Sequence, residues 1–391
     1  MPDTIVAEDS TAGLRALAPP GPDRRRVLLA PVTVTPSKPL APSHLKGLLW
    51  TDVMYRATSA LADVSYRYSP TTYHVTEQTL GFWEFLDRTV GAADYSGMTE
   101  VEIGELYVRF RAEGRAATAA TLRPYAEAVE SQGWVHPAAR RVLGLWASHY
   151  RRLGMHDPGL LAHQPPGMTL PEMIDRLSSL GMCLDLSAYG SPVFLDATRY
   201  GLPLRQIVDA DGRPNYLACA LRELLPLAPL HDEVVLLYDP ELGADYLLLE
   251  RVLLRLAVKV CRVAVGRVPV EGRIRSARQG GWHGYGAGDL LAAAYAEHGD
   301  NDVIRLGMRL YFIATLGPGQ AQSFRHDTLR RCLGRAARLL AAADGDGAPM
   351  TEVLARHRGD RAHVDPYRLT SGLLARHKPT PGRELLAEVY L

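Results

Sequence analysis

The sequence predicts an α/β fold built on a parallel sheet, and three patterns carry this prediction. Residues 27–34 form an apolar, β-branched run typical of a buried strand, and helical spacing of apolar residues begins soon afterwards. Residues 233–238 form a second, almost entirely apolar run, as in strands that are covered on both faces. A helical pattern over 246–256 and a third strand pattern over 261–265 follow. Strands that alternate with helices in this way pair in parallel.

Composition narrows the class of protein further. The chain has 391 residues, 47% of them hydrophobic, and no apolar run long enough to span a membrane, so we expect a cytoplasmic globular protein with no membrane partner. A net charge of +1, from 44 basic and 43 acidic residues, is not that of a strong nucleic-acid binder. The cysteines are far apart and form no C-x-x-C pair, so neither a disulfide framework nor a metal site is predicted. They are Cys183, Cys219, Cys261 and Cys332.

The turn after the first strand is the first candidate site. Ser43 has the character of an N-cap, and a helix that starts there would point its free N–H groups at the Pro-rich turn. Such a helix end binds phosphate readily. His44, Lys46 and Arg56 add potential positive charge nearby. The alternative interpretation is an ordinary strand–helix unit with a surface histidine.

A family resemblance favours the phosphate site. Residues 38–47 read Lys-Pro-Leu-Ala-Pro-Ser-His-Leu-Lys-Gly, with Asp52 eight positions after the histidine. This stretch is similar to the first signature of arginyl-tRNA synthetases, Lys-Pro-Leu-His-Val-Gly-His-Leu-Arg, whose two histidines stabilise charge on the α-phosphate of ATP. The second of these histidines is matched by His44, whereas the first is Ala41 and the glycine is Ser43.

A second stretch resembles the mobile Lys-Met-Ser-Lys loop of the same class of synthetases. In that loop, cations and a hydroxyl bind the β- and γ-phosphates. Ser276, Arg278 and Gly280 fall on matching positions, while Arg273 and Arg275 are the possible substitutes for the missing lysines. The alternative interpretation is a solvated Arg/Gly turn.

The remaining segments occur in the family's order over roughly residues 27–340. The resemblance implies a Rossmann-like (HUP-type) parallel-sheet catalytic domain over 26–300, with a helical insertion at about 99–155. It also implies a truncated C-terminal helical domain over 301–391, and we expect residues 1–25 to form a flexible tail. The other predicted elements are strands at 64–68, 192–195, 206–208 and 215–217 and helices at 80–90, 99–154, 170–180 and 302–340.

The departures from the family argue against arginine as the substrate. The family holds the guanidinium with acidic residues, one of them four positions after the tyrosine matched by Tyr216, where this chain has Ala220. A second acid is absent from the matching region at 161–164. An unpaired buried guanidinium costs several kcal/mol. We therefore expect neither ligation of arginine to tRNA nor tRNA as a partner.

Two functions remain open from the sequence. In the first, the chain activates an amino acid or related carboxylate with ATP and Mg²⁺ and transfers it to a small-molecule amine. In the second, the site is inactive and the fold serves as a binding or partner protein. The resemblance assigns catalysis to His44, Ser276 and Arg278, ATP binding to Ser43, Lys46, Gly47, Arg273, Arg275 and Gly280, and substrate binding to Tyr216, Asp52 and His163.

Overall fold

The computed structural model of the chain describes residues 24–68, 70–274, 280–319, 321–343, 348–375 and 381–391. The predicted N-terminal tail falls almost entirely outside these residues. So do three of the predicted loop residues, Arg275, Ser276 and Arg278.

A four-stranded parallel sheet forms the centre of the fold and confirms the predicted α/β class. The strands are β1 (Arg26–Pro31), β2 (Asp63–Tyr66), β6 (Glu233–Tyr238) and β7 (Lys259–Ala264), in the order β2-β1-β6-β7. The apolar middle residues of β1 and β6 are buried, because helices cover both faces of a parallel sheet.

The strand order creates a switch point between β1 and β6. From β1 the chain passes through α1 (Pro42–Ser59) to β2 on one side. From β6 it passes through α9 (Gly243–Leu254) to β7 on the other side. Two connections that diverge from neighbouring strands leave a crevice at the carboxyl ends of those strands, which is where α/β sheets bind ligands.

A small antiparallel sheet corrects one strand prediction. It contains β3 (Cys183–Asp185), β4 (Val193–Leu195) and β5 (Arg205–Val208) in that order. β4 and β5 match the strands predicted at 192–195 and 206–208, whereas the remaining strand, β3, precedes them in the chain. The prediction of a strand at 215–217 was wrong, because this segment starts helix α8 (Tyr216–Leu227). The Asn215 side chain caps α8 by accepting from the Ala218 N–H at 3.0 Å.

The helical insertion consists of separate helices. Residues 99–154 were predicted to be helical throughout, and two glycines in the left-handed region, Gly114 and Gly133, end α4 and α5 within this range. A short helix, α2, occupies a segment whose sequence, Ser-Pro-Thr-Thr at 69–72, predicts a turn. The helices of this part of the chain are α2 (Pro70–His74), α3 (Glu77–Thr89), α4 (Glu100–Glu113), α5 (Ala119–Gln132), α6 (Pro137–Arg152) and α7 (Leu170–Ser179).

The C-terminal part is helical to its end. The last forty residues show little periodicity in sequence, but the residues described there include three helices, and α14 and α15 both pack on α1. No helix among the described residues is long and apolar enough to cross a membrane. The helices are α10 (Ala287–Glu297), α11 (Asn301–Arg309), a π-helical turn (Leu310–Thr315), α12 (His326–Ala342), α13 (Met350–Arg358), α14 (Pro366–Gly372) and α15 (Arg383–Tyr390).

Candidate functional site

The amino end of α1 lies at the carboxyl edge of the sheet, next to the crevice between β1 and β6. The helix begins at Pro42 with Ala41 as its N-cap, one to two residues earlier than the sequence indicates. Proline has no N–H to leave unpaired at the first position of a helix. The next N–H groups, those of Ser43 and His44, have no partner within the helix and point at the turn. This geometry suits an anion.

His44 is held in a defined tautomer at this helix end. Its Nδ1 accepts a hydrogen bond from the Ala41 N–H at 3.0 Å, so the ring proton must sit on Nε2. Burial and, after it, the charges of Lys38 and Arg267 lower the pKa of His44 from 6.5 to about 3. The imidazole is therefore neutral at physiological pH. It offers one N–H donor to a ligand that approaches from the turn.

Ser43 connects α1 to the segment that follows β7. It is not the N-cap; its Oγ accepts a hydrogen bond from the Val268 N–H at 3.0 Å. This leaves its hydroxyl proton to donate. A side chain at Gly47, one turn further along α1, would meet nothing within 4 Å, so the helix is open to a ligand there.

Two cations at this edge were not assigned a role from the sequence. Lys38 is buried, and its Nζ lies 4.8 Å from the ring centre of Tyr107. Arg267 forms ion pairs with Asp239 and, at 2.8 Å, with Glu241. The sequence signal for Arg267 was its position just beyond a predicted parallel strand, where ligand-binding residues concentrate.

Both flanks of segment 275–279 pack beside the same turn. On the C-terminal flank, the Ala287 N–H donates to the Leu40 carbonyl at 2.9 Å. Trp282 is fully buried, and a Cβ at Gly104 would lie 2.7 Å from its ring, so only glycine fits there. On the N-terminal flank, Val268 contacts α1 through Ser43. Val268 and Ala287, which lie on the two sides of segment 275–279 in the chain, therefore both contact the start of α1 or the turn that precedes it.

Arg273 and Gly280 border this segment on either side. Arg273 is exposed, and a tight turn joins it to Val270, whose N–H donates to the Arg273 carbonyl at 2.8 Å. Gly280 has a φ of +72°, and a Cβ there would lie 2.6 Å from the His283 ring. His283 Nδ1 is 2.5 Å from the Gly280 carbonyl, and its Nε2 pairs with Glu105. That partnership raises the pKa of His283.

Lys46, predicted to bind ATP, forms a hydrogen bond with the segment after the π-helical turn. Its Nζ donates to the Gly319 carbonyl at 2.7 Å, and the side chain is buried. Burial lowers the pKa of Lys46 to about 8. Lys46 therefore links α1 to the segment after the π-helical turn, and its role in ATP binding stays a prediction.

Asp52, predicted to bind substrate, is instead the centre of a buried ion-pair cluster. It pairs with Arg309 and, at 3.2 Å, with Arg56, and it accepts the His156 N–H at 2.8 Å. Eight residues of helix place it about 12 Å along α1 from His44. Its role here is to join α1 to α11 and to the segment after α6.

Tyr216 and His163 differ in their relation to the crevice. The hydroxyl of Tyr216 accepts the Thr33 N–H at 3.0 Å, just beyond β1, and lies 3.4 Å from the hydroxyl of Tyr246. His163 is exposed and lies against Gly133, the residue that ends α5. Its position gives no support to a substrate contact, whereas Tyr216 borders the crevice.

A small cavity beside β1 contains an internal ion pair. Arg67 and Glu223 both line it, and their Nε and Oε1 atoms are 2.5 Å apart. Ala220 lines the same cavity, whose volume is about 30 Å³. That volume holds about one water molecule, so an amino-acid side chain enters only if the walls move. Burial raises the pKa of Glu223.

Solved structures of two proteins share this fold. The chain superposes on arginyl-tRNA synthetase from Thermus thermophilus with a TM-score of 0.60 at 15% identity, over 91% of this chain and 70% of that one. It superposes on arginyl-tRNA synthetase from Plasmodium falciparum with a TM-score of 0.52 at 10% identity, over 85% and 64%. No protein-family description and no curated protein matches the chain in sequence. At these identities the similarity shows an aminoacyl-tRNA synthetase-like fold.

Proposed function

We propose that the chain is an ATP-dependent ligase that activates an amino acid or related carboxylate as an acyl-adenylate and transfers the acyl group to a small-molecule amine. The observation that carries the proposal is the meeting of three features at one turn. They are the amino end of α1, the neutral imidazole of His44 and the two flanks of segment 275–279. The synthetase-like fold supports the same conclusion.

The first step uses the fixed donors of α1. A carboxylate oxygen attacks the α-phosphorus of ATP, the bond to the bridging oxygen of the β-phosphate breaks, and pyrophosphate leaves. His44 Nε2–H and the first N–H groups of α1 donate to the α-phosphate oxygens, where negative charge increases in the transition state. The low pKa of His44 keeps it from binding a second proton, so its tautomer does not change during the step.

The second step transfers the acyl group. The amine attacks the acyl carbonyl, AMP leaves, and the amine loses a proton as the amide forms. Mg²⁺ enters with ATP as its counter-ion. We assign it no protein ligand, because Asp239 and Glu241 at this edge are both paired with Arg267. Ser276 and Arg278 remain the predicted partners of the pyrophosphate, and Arg273, Arg275 and Gly280 its predicted surroundings.

The cavity beside β1 favours an uncharged acyl substrate. The carboxylate that reaches the cavity, Glu223, already holds the guanidinium of Arg67. A substrate guanidinium would compete with this pair, and Ala220 offers it no replacement acid. Free arginine is therefore a poor substrate in this proposal.

Pyrophosphate exchange across a panel of amino acids and related carboxylates tests the proposal. We expect ATP with Mg²⁺ to raise the melting temperature and one acid to support exchange. His44→Ala should reduce that exchange by roughly 10²–10³-fold, the usual loss for one oxyanion-type donor. The matched control is His298→Gln at the end of α10, which should exchange at the wild-type rate.

The second candidate is a catalytically inactive, synthetase-like binding or partner protein. The observation that favours this candidate is that Arg67 and Arg267 both form ion pairs with carboxylates of the chain itself. An unchanged melting temperature with ATP and Mg²⁺, together with no exchange for any acid, would overturn the ligase and favour this candidate.

A further inference from the structure

A cluster of three possible metal ligands lies at the opposite, amino-terminal edge of the sheet. Glu233 is the first residue of β6, Cys261 lies in β7, and His363 lies between α13 and α14. One ligand atom from each residue lies within 4.8 Å of the others. Glu233 pairs in register with Lys259, so Cys261, two residues later, faces the same side of the sheet as Glu233 and Lys259.

His363 lacks hydrogen bonds in this cluster. It is 1% exposed, and neither ring nitrogen has a hydrogen-bond partner within the described part of the chain. Its Nδ1 lies 3.6 Å from Glu233 Oε1, beyond hydrogen-bond distance. Buried polar groups that lack partners are destabilising. An arrangement of this kind is typical of a site that has a further, external partner.

We propose that Glu233, Cys261 and His363 bind a divalent transition-metal ion with the preferences of zinc. Imidazole nitrogen, thiolate sulfur and carboxylate oxygen are the ligand atoms that zinc takes in proteins. Bond lengths of about 2.0–2.3 Å around a tetrahedral ion place its ligand atoms roughly 3.3–3.8 Å apart. The cluster needs only a small contraction to reach that spacing. The fourth position is then left to water.

The charges around the cluster are compatible with a divalent ion. The Glu233 carboxylate and the Cys261 thiolate together supply two negative charges. Lys259 Nζ lies 3.1 Å from Glu233 Oε2, and its side chain is 61% exposed, so it can turn into solvent when a cation binds. The second nearby cation, Arg361, pairs with Asp365 at 3.2 Å. Binding releases the thiol proton to solvent, which balances the charge.

A metal at this position would join the C-terminal segment to the sheet. His363 is followed by Val364, whose N–H donates to Thr58 Oγ1 at 3.0 Å in the last turn of α1. The metal would add a second link from the same segment to β6 and β7. Six residues of strand put this cluster about 16 Å from the edge that carries His44. The site is therefore structural and does not depend on the proposed ligase activity.

Zinc titration of the metal-free full chain tests the site. We expect one zinc per chain and a higher melting temperature, with affinity at least tenfold weaker in Cys261→Ser and in His363→Gln. The matched control is Cys183→Ser, a partly buried strand cysteine in the other sheet, which should bind zinc as the wild type does.

Cobalt gives a second readout that does not depend on stability. Cobalt in the wild-type chain should show thiolate-to-metal charge-transfer absorption, and Cys261→Ser should lose it. No stoichiometric zinc, no shift in melting temperature and no charge-transfer band would overturn the proposal. An equal loss of binding in Cys183→Ser would overturn it as well, because the zinc would then be held by thiols in general.

Discussion

At the scale of single residues, the chain uses backbone contacts to fix its reactive side chains. The Ala41 N–H fixes the tautomer of His44, and the Val268 N–H orients Ser43. Ala41 occupies the position where the arginyl-tRNA synthetase signature carries its first histidine. The chain therefore has one imidazole donor at the turn, and the Ser43 hydroxyl is the group placed to supply a second donor.

Asp52 gives the first prediction at this scale. Asp52→Asn should lower the free energy of unfolding by about 3–5 kcal/mol, because it leaves the fully buried guanidinium of Arg309 without its charge partner. Urea denaturation measures the change. The exposed pair Arg330–Glu297 provides the control, and Glu297→Gln should leave the free energy of unfolding nearly unchanged.

The same variant separates an anchoring role for Asp52 from a substrate-binding role. If Asp52 only anchors α1, Asp52→Asn should be less stable than the wild type, but ATP and Mg²⁺ should still raise its melting temperature as they do for the wild type. A variant of unchanged stability that had lost pyrophosphate exchange would contradict the structural assignment and restore the role predicted from the sequence.

At the scale of elements, the local sequence pattern predicts strands of the parallel sheet and the helices that connect them. The apolar runs of β1 and β6 and the helical spacing of α1 were all recognised, since each depends on a few neighbouring residues. The error at 215–217 arose because Asn215 is both a turn residue and a helix N-cap, and the cap geometry decided the outcome. The sequence implied a helical domain over 301–391 but did not locate its last helices, because the burial of α14 and α15 comes from contact with α1.

The segment after 279 gives a prediction about two glycines. Gly280→Ala should weaken ATP binding, because its Cβ would clash with the His283 ring that fixes this end of the loop. Gly284→Ala is the matched control: its φ of +69° is similarly left-handed, but its Cβ would meet nothing within 4 Å. Both variants lose about 1 kcal/mol of stability from the left-handed backbone.

ATP titration of the two variants measures the difference. Under the proposed function, Gly280→Ala raises the concentration of ATP needed for half-maximal exchange, and Gly284→Ala leaves it unchanged. Equal effects of the two substitutions would show that the contact with His283 does not position the loop.

The turn after α9 gives a prediction about stability alone. Ala257 is exposed with a φ of +59°, a conformation that disfavours a residue with a Cβ. Ala257→Gly should therefore raise the free energy of unfolding by roughly 0.5–1 kcal/mol. Ala292→Gly in the exposed face of α10 is the control and should lower it by about 1 kcal/mol. If thermal denaturation showed Ala292→Gly to be more stable than Ala257→Gly, the positive φ of Ala257 would not be the cause of a stability cost.

At the scale of the whole molecule, the site depends on contacts that no local pattern contains. Asp52 and Arg309 are 257 positions apart, and Ser43 and Val268 are 225 apart. The resemblance to a synthetase signature pointed to His44, but it could not show that Asp52 pairs with Arg309 or that Lys46 donates to the Gly319 carbonyl. The cluster of Glu233, Cys261 and His363 could not be predicted from the sequence either, because its residues come from three distant segments.

Buried neutral histidines give a prediction for the molecule as a whole. His74 is fully buried against Trp83, and burial lowers its pKa from 6.5 to about 3. Burial also lowers the pKa of His44, His136, His156 and His231.

These groups make the fold sensitive to acid. Below pH 6.5 these histidines bind protons in the unfolded chain more readily than in the folded chain, so stability is fully present above pH 6.5 and falls as the pH is lowered. For His44 and His74 this fall extends down to about pH 3. Each fully shifted histidine contributes up to about 1.4 kcal/mol per pH unit.

His74→Leu isolates one of these contributions because it removes the titrating group from the core. Stability of the wild type should fall between pH 7 and pH 5, and roughly 2 kcal/mol of that fall should disappear in His74→Leu, since pH 5 lies about 1.5 units below the ordinary histidine pKa. His298→Gln, at the end of α10, should follow the wild-type curve. Urea denaturation at a series of pH values measures all three proteins. Parallel curves for the wild type and His74→Leu would mean that His74 is protonated in the folded chain, and the acid sensitivity would then have to come from other groups.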